Sequence, residues 1–344
     1  MKPRVTLRQI AAKSGYHFST VSLALKGHSS IPESTRRKIR KVADAIGYKP
    51  DPVLSALASY RQQRRPPEYA GTIIWLSNYK SDYHWKKIPL FMEYYRGASE
   101  EAKRLGYKIE EFSLTDEGMN PTAAARILSV RNVAGILIPP QEKPHERIEL
   151  DWSDFSIVTF GYTLEHPRFH MVSNHHYRIM TNLLHELHDI GYRKSGFVLL
   201  RRSSERVENK WISAYLGETY ERYGEILVPP LLLDDWDPGK FDKWFRKFRP
   251  DVLVNGVRQL PELPKHLEKL GLRVPEDIGL ADHNLSDEGD EVAGMRQNAV
   301  LIGKAALGVL VGLIHRNEKG IPESPLTTLV EGYWYRGPTV RREG

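Results

Sequence analysis

Along the first fifty residues, apolar positions recur at helical spacing in three short bursts, each bounded by residues that start or stop helices. Thr6 and Gln9 stand three apart, in the pattern of a capping box, ahead of Leu7, Ile10 and Ala11; Ser14-Gly15 closes that segment after two turns. A second helix is expected over 18–26, with Val21 and Leu25 apolar at i and i+4 and Gly27 placed to end it in the left-handed conformation. A third, over about 33–46, aligns Ile39, Val42, Ala43 and Ile46, while Arg36, Arg37, Lys38, Arg40 and Lys41 point largely elsewhere. Two short helices around a Gly-containing turn predict a helix-turn-helix, closed into a small core by the third helix.

From Ala70 the pattern changes. Apolar runs at 71–76, 108–112, 135–138, 157–160, 195–200, 225–228, 252–254 and 278–281 read as strands, and a helix over 90–105 is closed by Gly106. Strands at this spacing with helices between them predict parallel α/β units. Between the two regions Asp51-Pro52 opens a helix-capable segment over 51–58, too short to hold a helix alone in water. The basic run that begins at Arg61 and ends at Pro66-Pro67 marks a domain boundary.

Charge separates the same two regions. The chain has 344 residues and a net charge of +7, yet residues 1–66 hold 14 Lys and Arg against 3 Asp and Glu, and the remainder holds 36 against 40. Such asymmetry points to a nucleic-acid-binding head on a body with another task, the other reading being a solvated basic tail. Apolar periodicity in the head favours the first, because disordered tails lack it. There is no cysteine, which excludes disulfides, thiolate metal sites and cysteine nucleophiles. The longest apolar run, 305–314, falls short of a membrane span, and no apolar stretch follows the charged first residues as in a signal peptide, so a cytoplasmic protein is expected.

The run Thr6-Leu7-Arg8-Gln9-Ile10-Ala11, then Ser19-Thr20-Val21-Ser22, Gly27, Thr35-Arg36 and Gly47-Tyr48-Lys49-Pro50 resembles the N-terminal signature of the LacI/GalR family of bacterial transcriptional regulators. The likeness continues more weakly to Arg336-Gly337-Pro338-Thr339. It implies a helix-turn-helix domain over 1–50, a hinge and linker over 51–69, and a two-lobed effector-binding and dimerisation domain over 70–344. The lobes would be Rossmann-like, of the periplasmic-binding-protein type I: lobe 1 about 70–172 and 299–328, lobe 2 about 173–298 and 329–344. The chain would cross between them near 171–174, 296–298 and 329–331.

The resemblance also implies site residues. Phe18 and Ser19, at the start of the second helix, would meet base edges in the major groove; Phe18 can only pack, most plausibly on a thymine methyl. Leu23 stands where the family most often has arginine, so a thymine methyl rather than a guanine is expected opposite it. Thr20 and Ser22 match phosphate-contacting positions, and Thr6 joins the DNA-binding set. His17 replaces the usual serine at the start of this helix, which is expected to weaken its cap. Leu57 matches a leucine that wedges into the minor groove from a hinge helix, and Leu54 replaces a smaller residue at the contact between two hinges. The other reading of 51–58 is an apolar linker packed on the body.

Ligands of such two-lobed folds bind in the cleft beyond the carboxyl ends of the strands. The loop after the first strand carries Tyr79, Tyr83 and Trp85 among polar residues, the mixture of faces and hydrogen-bonding groups that a sugar needs. At family ligand positions His175 replaces a common Asp, Asn255-Gly256 replaces Asn-Asp, and Asn284 replaces Asp. Arg206 lies one residue out of register from a ligand-binding arginine, and Trp211 reads equally as a cleft aromatic or a core residue. The set suits a neutral or acidic saccharide, or a pocket that has lost its ligand.

Catalytic chemistry finds no footing. His185 and His188 are at i and i+3 rather than the i and i+4 of a zinc helix, His175-His176 has no third ligand in sight, and Gly303-Lys304 lacks the rest of a phosphate loop. No enzyme, metal or cofactor is expected. The sequence thus predicts a homodimeric regulator, acting as a repressor on a pseudo-palindromic double-stranded operator and controlled by a small-molecule effector. Its rivals are a saccharide-binding module whose basic head holds DNA only non-specifically, and a sugar-modifying enzyme, for which no paired carboxylates can be placed.

Overall fold

A computed structural model describes residues 5–25, 31–48, 69–79, 85–116, 119–131, 133–256, 260–289 and 292–342. The hinge residues Leu54 and Leu57, the connector at 61–67, Gly27 and Tyr83 lie outside the described residues.

In the head, α1 (Leu7–Ser14) starts on the expected capping box: the Gln9 N–H donates to the Thr6 hydroxyl at 3.4 Å, and the Thr6 N–H donates to the Gln9 side-chain oxygen at 2.7 Å. Gly15 ends it at φ 71°, a conformation that costs a residue without Cβ little. Then follow α2 (Phe18–Leu25) and α3 (Glu33–Ala45). The three helices bury Ile10, Val21, Ala24, Ile39 and Ala43 against one another, with Leu7, Val42 and Ile46 at the margin. Ala24 takes the inner position expected of Leu25, which is only half-buried.

In the body, β1 (Gly71–Ser77), α4 (Pro89–Leu105), β2 (Tyr107–Ser113), α5 (Pro121–Val130), β3 (Val133–Ile138), β4 (Glu146–Arg147), β5 (Ser156–Phe160), β6 (Leu164–His166) and β7 (His170–Asn174) build lobe 1. Lobe 2 follows with α6 (His176–Asp189), β8 (Ser195–Leu200), α7 (Arg201–Glu205), α8 (Lys210–Tyr223), β9 (Leu231–Leu233), α9 (Pro238–Phe248), β10 (Val252–Asn255), α10 (Glu262–Lys269), β11 (Gly279–Leu285) and β12 (Ala293–Arg296). The chain then returns to lobe 1 for α11 (Ala299–Arg316) and β13 (Thr327–Val330), and to lobe 2 for β14 (Tyr333–Tyr335). Sheet 1 has the order β13-β7-β5-β3-β1-β2 and is wholly parallel; sheet 2 has the order β14-β12-β11-β10-β8-β9, with β14 alone antiparallel. A short β4–β6 pair stands apart. The three changes of sheet fall after β7, after β12 and between β13 and β14.

Both sheets are covered on both faces, which is why their strands read as unbroken apolar runs. On one face of sheet 1, α4 and α11 pack over Ile73, Trp75, Leu137 and Val158; on the other, α5 covers Ile74, Leu76, Ile136 and Ile138. In lobe 2, α6 and α8 cover Phe197, Val252 and Val254, and α9 and α10 cover Val198, Leu253 and Leu280. By length and composition α11 is apolar enough to cross a membrane, but one side of it, including Ile302, Ala306, Leu307 and Leu310, is buried in this core.

The run at 225–228 is not a strand; the edge strand is β9, beyond Pro229-Pro230. Two prolines supply no N–H to a ladder, and the carbonyls nearby are taken by side chains: Val228 O accepts from the Tyr215 hydroxyl at 2.6 Å and Pro229 O from the Trp244 indole at 2.7 Å.

Candidate DNA-reading face and ligand cleft

The start of α2 projects two side chains into solvent: Phe18 is 46% exposed and Ser19 is exposed, whereas Thr20, Ser22 and Leu23 are half-buried. The exposed Phe18 ring is free to pack on a partner, although a single exposed apolar side chain is ordinary on a protein surface. The cap is made by the His17 ring, through a long contact. The His17 carbonyl accepts the first helical bond, from the Val21 N–H at 3.0 Å, and its ring Nδ1 accepts from the Ser19 N–H at 3.4 Å and lies 2.8 Å from the Ser19 hydroxyl. Imidazole here does what serine does in a standard cap: it satisfies a free N–H of the first turn.

Between the lobes lies a cleft of about 760 Å³. Its walls are the loops at the carboxyl ends of the strands: Tyr79 after β1, Glu142 after β3, Tyr162 after β5, Arg202 after β8, Gly256 after β10, and Asp282 and Asn284 within β11. Of the expected residues, Tyr79, Arg206, Trp211 and Asn284 line it. Trp211 is both cleft wall and core, being 3% exposed. Trp85 does not line it: in the turn Trp85–Lys87 its ring turns inward against Trp75 at 5.3 Å and Tyr95 at 5.1 Å, and Lys87 and Ile88 face the cleft instead. Nor does His175, whose Nδ1 accepts from the Arg178 N–H at 3.4 Å as the cap of α6; its neighbour His176 takes the place at the wall. Asn255 is completely buried behind Gly256. Glu142, Tyr162 and Asp282 also line it and were missed; the first two lie in loops after strands and Asp282 lies within β11, where nothing in the sequence says which residue turns to the cleft.

The lobes touch across the cleft at both ends. At one, the Arg206 guanidinium of lobe 2 donates to the carbonyls of Glu142 at 2.6 Å and Gln141 at 2.9 Å, and the Lys210 ammonium lies 3.8 Å from the centre of the Tyr162 ring. At the other, the lobe 2 loop after β11 is held by lobe 1: the Asp287 N–H donates to Glu93 at 3.0 Å, and Arg96 pairs with Glu288 at 3.1 Å. The Asp287 carboxylate in turn accepts the N–H groups of Ala299 and Val300, at 2.9 and 3.0 Å, capping α11 from the other lobe. Burial raises the Glu93 carboxyl above its ordinary value, and the hydrogen bond from Asp287 only partly offsets this.

Behind the charged Arg202, Arg206 and Asp282, the lobe 2 wall is backed by neutral polar rings. His176 lies against Trp211, and Trp211 against His283, with ring centres 5.1 and 4.3 Å apart. Burial, with the Lys210 charge nearby, pushes His176 down to about 3; burial pushes His283 down to about 4. Both rings are neutral at physiological pH. Among the described residues the His176 Nδ1, the Trp211 indole N–H and the Asn255 amide have no well-aligned partner, a set of unspent polar atoms buried just behind this wall. Among the described residues no cluster of three metal-ligating side chains occurs.

Comparison with known proteins separates head from body. Residues 6–51 match the family described as "Bacterial regulatory proteins, lacI family". The head is a lacI-family domain. Catabolite control protein A of Streptococcus mutans is 34% identical over 55 residues, a match that spans 16% of this chain and 16% of that relative. Over almost the whole chain the likeness is one of fold. A structure described as the "transcriptional regulator CelR-cellobiose complex" covers 98% of this chain and is itself covered completely, at 15% identity and a TM-score of 0.55. The Lac repressor dimer bound to operator and the anti-inducer ONPF covers 98%, with 99% of its own chain matched, at 15% identity and a TM-score of 0.54. Residues 6–51 thus match the lacI family, and nearly the full length of the chain shares the fold of these two structures.

Proposed function

We propose that this chain is a DNA-binding transcriptional regulator and not an enzyme. It acts as a homodimer on a pseudo-palindromic operator, as a repressor, with its DNA affinity set by a sugar or sugar derivative in the cleft. The observation that carries this reading is the lacI-family helix-turn-helix head, with an exposed Phe18-Ser19 edge, on a two-lobed body. The cytoplasm is its place of work. Support for the partners comes from likeness in fold to one regulator seen with cellobiose and to another seen as a dimer on its operator.

In this reading Phe18 and Ser19 read bases, Leu23 faces a thymine methyl, and Thr6, Thr20 and Ser22 hold phosphate. Leu54 and Leu57 act from the hinge. Within the cleft, Tyr79 and Trp211 offer ring faces, while Arg206 and Asn284 offer hydrogen bonds. A ligand that competes for Arg206 loosens its hold on Gln141 and Glu142 and so changes the angle between lobes, while the Glu93–Asp287 end acts as pivot. A coupling of about 1–3 kcal/mol between cleft and DNA is ordinary for such a switch.

Selection from random duplex DNA is expected to return a two-fold symmetric site of roughly two helical turns, bound with an affinity that falls steeply as salt rises. Recovery of no motif would sink the sequence-specific reading and leave a head that merely holds phosphate. For the cleft, a panel of neutral sugars and sugar acids is expected to contain at least one that raises the melting temperature by several degrees. If none does so at millimolar concentration, the saccharide effector is wrong.

A further inference from the structure

The contact between His17 and Ser19 restricts what Ser19 can say to a base. A free serine hydroxyl both donates and accepts, and in the major groove it tolerates any base. Here it is not free. The Ser19 backbone N–H points at His17 Nδ1 from 3.4 Å, and its proton is fixed by the helix. The nitrogen facing it therefore carries a lone pair, and the ring proton is on Nε2. The Ser19 hydroxyl, 2.8 Å from that same Nδ1, can make this bond only by giving its proton to the ring. What remains on its outer side is a pair of acceptor sites. Both residues lie on the exposed edge of α2, beside Phe18, so the oxygen is open to a partner.

We propose that His17 sets the polarity of Ser19, making it an acceptor-only reader whose target is an exocyclic amino group, adenine N6 or cytosine N4. In the major groove those are the donors; guanine N7 and O6, thymine O4 and adenine N7 are acceptors and would meet lone pair with lone pair. This rests on the reading that the α2 edge enters the major groove. His17 is thus a positioning residue, acting on the base through Ser19.

The test uses the full chain and the site recovered by selection. The Ser19→Ala variant first locates the base pair whose preference relaxes. At that pair the amino group is then removed, with purine in place of adenine or 2-pyrimidinone in place of cytosine. Separately, N7 of the purine is removed with the 7-deaza base. Loss of the amino group is expected to weaken the unmodified protein about threefold to tenfold and to leave the Ser19→Ala variant unaffected. The 7-deaza base should affect both proteins alike. In His17→Ala, the penalty for losing the amino group should shrink while binding to phosphate persists. Should that variant fail to fold by circular dichroism, the base analogues on the unmodified protein still decide. The proposal is overturned if N7, rather than the amino group, distinguishes the two proteins, or if neither does. Failure to recover any symmetric site would instead bring down the regulator reading, and this inference with it.

Discussion

Gly303→Ala is expected to destabilise lobe 1 by about 3 kcal/mol or more, while Gly308→Ala in the same helix leaves stability unchanged or raises it by about 0.5 kcal/mol. The contrast follows from how α11 meets α4. A Cβ on Gly303 would lie 2.1 Å from the Tyr94 carbonyl oxygen and 2.7 Å from the Ala98 nitrogen; from the other side, a Cβ on Gly97 would lie 2.0 Å from the Val300 carbonyl oxygen. These are backbone atoms, which cannot rotate out of the way as a side chain can. Accommodating one methyl means separating two helices along their whole contact, with loss of packing among Tyr94, Ala98, Ile302 and Ala306. Gly308 has nothing within 4 Å of such a Cβ, so alanine there brings only its better helix propensity. Urea unfolding followed by circular dichroism measures both. Equal effects at the two positions would show that the helices do not cross at Gly303.

Lobe 2 should fail on acidification well before ordinary carboxylates titrate. His176 and His283 bind protons near 6.5 when unfolded, but only near 3 and 4 when folded. Between those values the unfolded chain holds more protons, so stability rises with pH across the window and is lost as pH falls from about 6.5 toward 4. Two such groups remove about 3–4 kcal/mol between pH 7 and pH 5. Carboxylates held low by ion pairs, such as Asp277 at about 2, lose their contribution only further down; Glu93, raised by burial, works in the opposite sense. Urea midpoints at pH 7, 6 and 5 test this. In His283→Gln the slope should flatten by about one proton, and a slope unchanged by that substitution would show that His283 is charged in the folded protein.

The head was the more legible half. Its capping box, its glycine stop and the stripe through Ile39 and Ala43 are local signals, and local signals survive without knowledge of the rest of the chain. The strands of the body were legible for a related reason: a strand buried on both faces is apolar throughout. The cleft was not. Its walls come from seven separate loops or strand ends, and no period in the chain says which residue of a loop turns toward the opposite lobe. Trp85 and Lys87 illustrate this, two residues apart in one turn, one committed to the core and the other to the cleft. His17 and His175 escaped for a different reason. A histidine that caps a helix through Nδ1 uses the same geometry as serine or aspartate, but its other chemistry draws attention first.

The order of strands in the sheets has a consequence for synthesis. Sheet 1 receives β7 by Asn174, but the second of the two helices on one face, α11, begins only at Ala299, and its last edge strand only at Thr327. At about 5–20 residues per second, the stretch between Asn174 and Ala299 leaves that face with α4 alone for roughly 6–25 s while lobe 2 leaves the ribosome. Trp75 and Phe160 already meet Tyr95 and Tyr94 of α4, so the open stretch is the one that α11 later fills over β3, β5 and β7. Lobe 2, by contrast, waits only for β14. Its helices are all made by Lys269 and its other strands by Arg296, so the second lobe to be made has its layers in place before the first, although its last edge strand comes after β13.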